Sequence, residues 1–313
     1  MNEMDELALE ELEQKRKNTY GNIKLFGFIS ILAFALAFIA YVSDRATLGI
    51  GLASLGLVFL GMLAYLYQTI KKEIADKIYQ PIFEELNLEF EYQKGLDLEE
   101  VLSSGLFEKP DEYDSYGLIK GVVLDFPFKA SNISLWEIEE ERDSEGSTWG
   151  VRYSISSGRL YIGNTREVRY LIFSGRLYII DTPFNKKKII ITSGYHNLPS
   201  TKGMQKTKLE SGEFNKLFRV FAEDQVEVRK VLTPNVMERF IDLRKRVGKF
   251  HVSIIENKVY VAIEKRKIKI KINKPVKEII EHAKHLAEIE IESVSSLINT
   301  LKMQEEKIKR GLF

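Results

Sequence analysis

Cysteine is missing from all 313 residues of the chain. Its absence excludes disulfides, thiolate nucleophiles, cysteine-ligated zinc and iron–sulfur clusters, and it suits a reducing compartment. Histidine is scarce, four residues in all, so imidazole chemistry has few places to be. Neither sign of charge is in excess. Forty-six basic residues against 45 acidic ones leave a formal +1, which supplies no global attraction for nucleic acid, and none is expected as a partner. The loops that cradle phosphates or raise a nucleophile, GxxxxGKS/T, GxGxxG and GxSxG, do not occur, nor does the metal-binding HExxH.

Charge is absent in a second sense, locally. Residues 25–42 and 48–67 contain no ionisable side chain other than tyrosine. Each run is about the 18–20 residues that a helix needs to cross a hydrocarbon core of ~30 Å. Only Ser43-Asp44-Arg45-Ala46-Thr47 separates them, so they are expected to form an antiparallel helical hairpin in the lipid bilayer. Lys15, Arg16, Lys17 and Lys24 precede the first run, and Lys71, Lys72 and Lys77 follow the second, while the tip carries only Arg45. Cytoplasmic flanks hold the excess of Lys and Arg; both termini are therefore expected in the cytoplasm. A cleaved signal peptide fits poorly, because the leader is long and acidic and a second run follows at once. Channels and transporters place polar groups at depth, and these runs have no charged ones. Ala33, Ala37, Gly49, Ala53 and Gly56 offer small faces for close helix approach. The hairpin reads as an anchor.

About 240 residues follow it, enough for one large domain or two small ones. The expected organisation is an acidic cytoplasmic segment (1–22), the transmembrane hairpin (23–70), a helical stalk and linker (71–116), a cytoplasmic α+β domain of antiparallel β-hairpins with flanking helices (117–273) and a long amphipathic C-terminal helix (274–313). Ile74, Ile78, Ile82 and Leu86 form a four-residue stripe, and Pro81 inside it predicts a kink or restart. Asp97–Leu106 reads as a short helix, and 108–116 as the linker. Period two begins at Gly117, with strands expected over Gly117–Phe128 and Ile133–Glu141 and a turn at Asp143–Thr148.

An internal repeat follows. Val151–Ile162 (VRYSISSGRLYI) and Val168–Ile179 (VRYLIFSGRLYI) agree at ten of twelve positions. Each is expected to be a hairpin turning at Ser-Gly, with a fainter third copy in a hairpin over Phe250–Glu264. Phe214–Ala222 reads as a strand. Asp224, three before Glu227, predicts a capped helix, and Thr233-Pro234 opens another over Pro234–Val247. Pro275 starts the final helix, with an apolar seam at Val276, Ile280, Ala283, Ala287, Val294, Leu297 and Leu301 that Glu290 interrupts.

Chemistry-bearing patterns are few. Lys267–Asn273 is expected to be a strand, which puts Lys267, Lys269 and Lys271 on one face and Ile268, Ile270 and Ile272 on the other. Those lysines are the candidate contact for anionic lipid, each worth about 1 kcal/mol at such a surface; the alternative is a solvated or edge-protecting face. Lys186-Lys187-Lys188 poses the same question. His282 and His285 share a helix face, but no metal site is expected there. His196 and His251 stand alone, and Arg159 and Arg176 read as cross-strand or solvent-facing charges. No catalytic, cofactor-binding or metal-binding residue is assigned, and no cofactor is expected.

Residues from about Gly117 to Ile263 resemble a bacterial family of membrane proteins, domain of unknown function 3137. The likeness is carried by Phe173–Tyr178, Phe184-Asn185-Lys186, the run from Leu209-Glu210-Ser211 to Asp224, Leu232-Thr233-Pro234, Met237-Glu-Arg239 and Asn257–Ile263. It implies a bacterial plasma-membrane protein and brings no catalytic residues. The expected function is a membrane-anchored binding or scaffolding module that holds a protein partner, or a second copy of itself, at the inner leaflet. The alternatives are a tethered enzyme acting on a lipid or phosphorylated substrate, and an anionic-lipid-binding module.

Overall fold

The computed structural model describes residues 6–142, 151–153, 160–162, 165–193, 201 and 203–309. Helices α1 (Glu6–Val42) and α2 (Ala46–Ile74) lead into a π-helical turn (Ala75–Tyr79), helix α3 (Gln80–Glu85) and strand β1 (Leu88–Glu91). Helix α4 (Leu98–Ser103) precedes strands β2 (Glu112–Val123), β3 (Phe126–Arg142), β4 (Val151–Tyr153), β5 (Leu160–Ile162) and β6 (Thr165–Thr192). Strand β7 (Gln205–Thr207), helix α5 (Gly212–Leu217), strand β8 (Arg219–Ala222), helices α6 (Gln225–Val231) and α7 (Pro234–Val247), strand β9 (Phe250–Glu264) and helix α8 (Val276–Lys309) follow. The chain divides into two compact units: Met1–Tyr92 with Ile268–Ile291, and Gln93–Lys267 with Glu292–Phe313.

The first unit is built on the expected hairpin. Asp44, at φ 60°, turns the chain between the two helices. The helices touch through small residues, as anticipated. A Cβ on Gly49 would stand 3.1 Å from the Ala37 carbonyl, and one on Gly56 3.1 Å from the Phe34 ring. Ser30 Oγ donates to the Gly56 carbonyl at 2.9 Å. Both helices continue past the apolar runs. There Glu73 receives Lys15 at 2.8 Å and Lys77 at 3.0 Å, tying α1 to α2. The π-helical turn ends one residue before Gln80-Pro81; widening the helix there accommodates a ring with no N–H to donate. Ile74, Ile78 and Ile82 are buried as expected, joined by Tyr79 and Phe83. Phe83 stacks on Phe90 at 4.9 Å.

Residues 267–273 form no strand. The expected alternation survives nonetheless: Ile268, Ile270 and Ile272 are buried, and Lys269 and Lys271 are exposed. Period two reports extended backbone, not a ladder. Here the backbone is held by side chains instead, with Arg16 Nη1 donating to the Ile272 carbonyl at 3.0 Å and His282 bonded to the backbone of Lys269.

The second unit carries an antiparallel sheet in the order β2-β3-β6-β8-β7, with β9 also on β6. Strand β6 is its axis. Its first half pairs β3 and its last residues pair β8 along one edge, while β9 runs along the other. The expected hairpin over Val168–Ile179 is therefore absent. Ser174-Gly175 lies inside a continuous strand, opposite Ser134-Ile133 and Glu264. Gly175 serves close approach rather than a turn: a Cβ there would fall 2.1 Å from the Ile263 carbonyl oxygen. The first copy does form an antiparallel pair, Val151↔Ile162 to Tyr153↔Leu160, but its turn, like Asp143–Thr148 and His196, lies outside the described residues.

Three other expectations shift. Phe250–Glu264 is one strand, not a hairpin; Glu256, at φ 50°, marks a register shift against Lys186 where both strands leave the regular ladder. Gly117–Phe128 contains the turn between β2 and β3, made by Leu124 and Asp125 at φ 51° and 67°, and β2 begins inside the expected linker. Phe214–Ala222 is a helix and then a strand, because Ser211 caps α5 by accepting the Phe214 N–H. The other helix signals hold. Asp97 and Glu100 form a capping box on α4, Asp224 caps α6 through the N–H groups of Val226 and Glu227, and α7 starts at Pro234. Leu118, Ile133, Leu135, Phe173, Leu177, Ile190 and Tyr260 belong to the main core. Phe214, Phe218, Phe240 and Phe250 form a second cluster, with neighbouring rings 4.8 to 6.4 Å apart. The seam of α8 is buried from Val276 to Ile298, Glu290 included.

Candidate functional site

Extended backbone at 267–273 does not keep the three candidate lysines together as one sheet face. Lys267 closes the second unit, half-buried, where its Nζ donates to Ser134 Oγ at 2.5 Å and lies 5.9 Å from the Tyr116 ring centre. Lys269 and Lys271 belong to the first unit and face solvent. They are fixed to α1 through a three-way contact. The Glu13 carboxylate accepts from Arg16 Nε at 2.8 Å and Nη2 at 2.7 Å, and also from the Val276 N–H at 3.0 Å, where α8 begins. Arg16 spends its remaining Nη1 on Ile272. The Arg16 hydrogen bonds, the Val276 N–H and the charges of Arg16 and Lys17 outweigh burial and pull the Glu13 carboxyl down to about 2. It is ionised across the neutral range, where a carboxylate at a helix N-terminus is favoured.

Arg176, Lys187 and His282 are engaged in the structure, and Arg159 lies outside the described residues. Arg176 is fully buried, donating to the Asn132 Oδ1 of its cross-strand partner at 3.1 Å and to the Gly117 carbonyl at 3.3 Å. Gly117, at φ 70°, sits in the β2 bulge that presents this carbonyl. Lys187 pairs with Asp224 at 3.3 Å. Burial and the nearby Lys271 ammonium, against a hydrogen bond that the imidazole donates to the Lys269 backbone, hold His282 below its usual range. A cationic neighbour of that kind disfavours a metal ion.

His251 joins a relay that sequence reading missed. Its Nδ1 lies 2.7 Å from Thr192 Oγ1 and its Nε2 3.2 Å from Glu264 Oε1. Register places it there, since Thr192 and His251 are directly opposed on β6 and β9. Hydroxyl, imidazole and carboxylate in line form the skeleton of a nucleophilic triad. Thr192 is 1% exposed, however, so no substrate reaches the hydroxyl in this conformation.

The second unit also has an open cleft of about 660 Å³ at the sheet edge. Lys206 on β7, Lys208 just beyond it, Lys216 on α5 and Arg219 at the start of β8 line it, with Thr207, Asn215, Leu217 and Phe218 between them. Among the described residues that line it there is no carboxylate. These cations are scattered singly through the sequence. The readable signal was their density between Lys202 and Arg219, without a matching density of acids.

Among solved structures, the mycobacterial trehalose monomycolate transport factor A, TtfA, overlaps 72% of this chain and 94% of its own at 7% identity, with a TM-score of 0.36. No curated protein matches the chain. Residues 171–303, from the first third of β6 into α8, match the family model described as protein of unknown function (DUF3137), a stretch that begins and ends later than the Gly117–Ile263 likeness read from the sequence.

Proposed function

We propose that this protein is a membrane-anchored binding or scaffolding module, with its α+β domain held at the cytoplasmic face of a bacterial plasma membrane. The observation that carries the reading is bare apolar surface. α1 and α2 are long and apolar enough to cross a membrane, and in their most apolar windows only 22% and 11% of residues are buried by the rest of the chain. A core hairpin of a soluble protein would be covered; an uncovered one of this size needs lipid or a partner. The basic flanks put both termini on the cytoplasmic side. Holding a ligand fits the second unit better than turnover does. A tethered enzyme needs an acid and a base converging where substrate can reach, whereas the charged residues described in the cleft are all cations and the hydroxyl of the His251 relay is buried. Extraction of the full chain from its membrane in polymer-bounded native nanodiscs, followed by native mass spectrometry, tests the scaffold reading. The expected species is heavier than one 36.1 kDa chain, carrying a second copy or another protein. A lone chain contradicts it.

A contact with anionic lipid is the second reading, favoured by the tie between Arg16 and Ile272. It holds exposed Lys269 and Lys271 against α1, with Arg16 about 13 Å of helix from the apolar run at Leu25. Lys267 drops out of this reading because Ser134 engages it. Replacing Lys269 and Lys271 with serine should lower the preference of the full chain for phosphatidylglycerol over phosphatidylcholine in lipid-exchange measurements. An unchanged preference removes the reading.

A further inference from the structure

We propose that the cleft between β7 and α5 binds a phosphate group, carried either by a soluble compound or by a lipid headgroup. Its chemistry is one-sided. Lys206, Lys208, Lys216 and Arg219 line it from three successive elements, and among the described lining residues there is no carboxylate. The acids nearest in sequence, Glu210 and Glu213, lie outside the lining, and Glu210 faces Arg229 at 3.9 Å. Lys206, Lys208 and Lys216 have no ion-pair partner among the described residues. Like charges gathered in a concave wall repel one another and focus the field on whatever anion enters. A phosphate monoester answers that field best, with up to two negative charges and three strong acceptor oxygens for ammonium donors.

The wall is built rather than incidental. Asn215 spends both ends of its amide on Leu209, accepting its N–H at 3.1 Å and donating to its carbonyl at 2.6 Å. That clamp fixes the segment bearing Lys208 against the helix bearing Lys216. Behind it, Arg244 donates to the Leu217 carbonyl at 3.3 Å and lies 5.6 Å from the ring centre of Phe218, whose side chain is buried. These bonds tie the cation-bearing elements to one another, with the buried Phe218 among them. About 660 Å³ lies within the range of sites for small ligands, enough for a phosphorylated small molecule or a headgroup.

Calorimetric titration of the full chain with pyrophosphate, in neutral detergent micelles, tests the site. Saturable binding is expected, weakened about tenfold or more by Lys206→Ser with Lys216→Ser, since each ammonium contact at an exposed site contributes roughly three- to fivefold. Lys245→Ser, on the exposed side of α7, should bind as the parent does. Lys208→Gln with Lys216→Gln gives the same reading should the first pair fail to fold. Repeating the titration in nanodiscs separates the two sources. Weaker apparent affinity in discs containing phosphatidic acid, whose headgroup is a phosphate monoester, than in phosphatidylcholine alone, with the difference erased by the serine pair, assigns the site to a headgroup. Equal affinity in both discs, lost in the serine pair, assigns it to a soluble phosphate compound. No saturable binding in micelles, or parental affinity in both lysine variants, overturns the proposal. The micelle arm stands whether or not the chain is a scaffold.

Discussion

Glu13 and Arg16 show how much one turn of helix can organise. Glu13 caps α8 from another helix, and Arg16 is buried between that carboxylate and the Ile272 carbonyl. Because the Glu13 carboxyl is lowered in the folded chain to about 2, its contribution is fully present above the ordinary carboxylate range near 4.5 and is lost as pH falls from there through about 2. The shift corresponds to about 3 kcal/mol at most. Glu13→Gln should remove this acid-sensitive component and speed exchange of the Val276 amide at pH 7 by at least tenfold. Hydrogen–deuterium exchange of the full chain reads that directly, and an unchanged rate would count against the cap. Gly175 is the second residue on which much rests. Gly175→Ala sets a methyl 2.1 Å from the Ile263 carbonyl oxygen and 2.8 Å from Phe173 Cζ, so β6 and β9 must part. A loss of about 1–3 kcal/mol is expected in thermal unfolding; a neutral variant would contradict the close approach.

Elements defined by local chemistry were legible in the sequence, and those defined by partners were not. The caps of α4 and α6 and the proline start of α7 need only residues within one turn of each other, and all three lie where Asp97, Asp224 and Pro234 place them. Asp97→Ala should cost about 1 kcal/mol through α4, seen as a lower melting temperature; no change would mean that the capping box contributes nothing. Strand β6 behaves differently. Ser174-Gly175 has the composition of a tight turn, but a strand backed on both edges also wants glycine where a neighbour crowds in. Which of the two applies depends on β3 and β9, whose pairing no local pattern announces. The same holds at Lys267–Lys271, where alternation correctly separated buried from exposed side chains but could not tell an extended segment tied by Arg16 from a strand.

The whole molecule was legible at its two long apolar helices and obscure at its candidate site. Long uncharged runs declare themselves by length alone, whereas the basic cleft is assembled from Lys206, Lys208, Lys216 and Arg219, each an unremarkable surface cation in sequence. His251 looked isolated because its partners Thr192 and Glu264 come from strand register. The central claim is the address: a hairpin crossing the membrane, with the rest of the chain beneath it. Since the chain has no cysteine, single thiols can be introduced without background. Ser43→Cys at the tip, Gln14→Cys in α1 and Lys245→Cys in α7 would be treated in intact cells with a membrane-impermeant maleimide. Labelling of the Ser43 variant alone, with the other two reacting only after lysis, is the predicted result. Labelling of the Gln14 or Lys245 variant in intact cells, or protection of the Ser43 variant, would contradict the account.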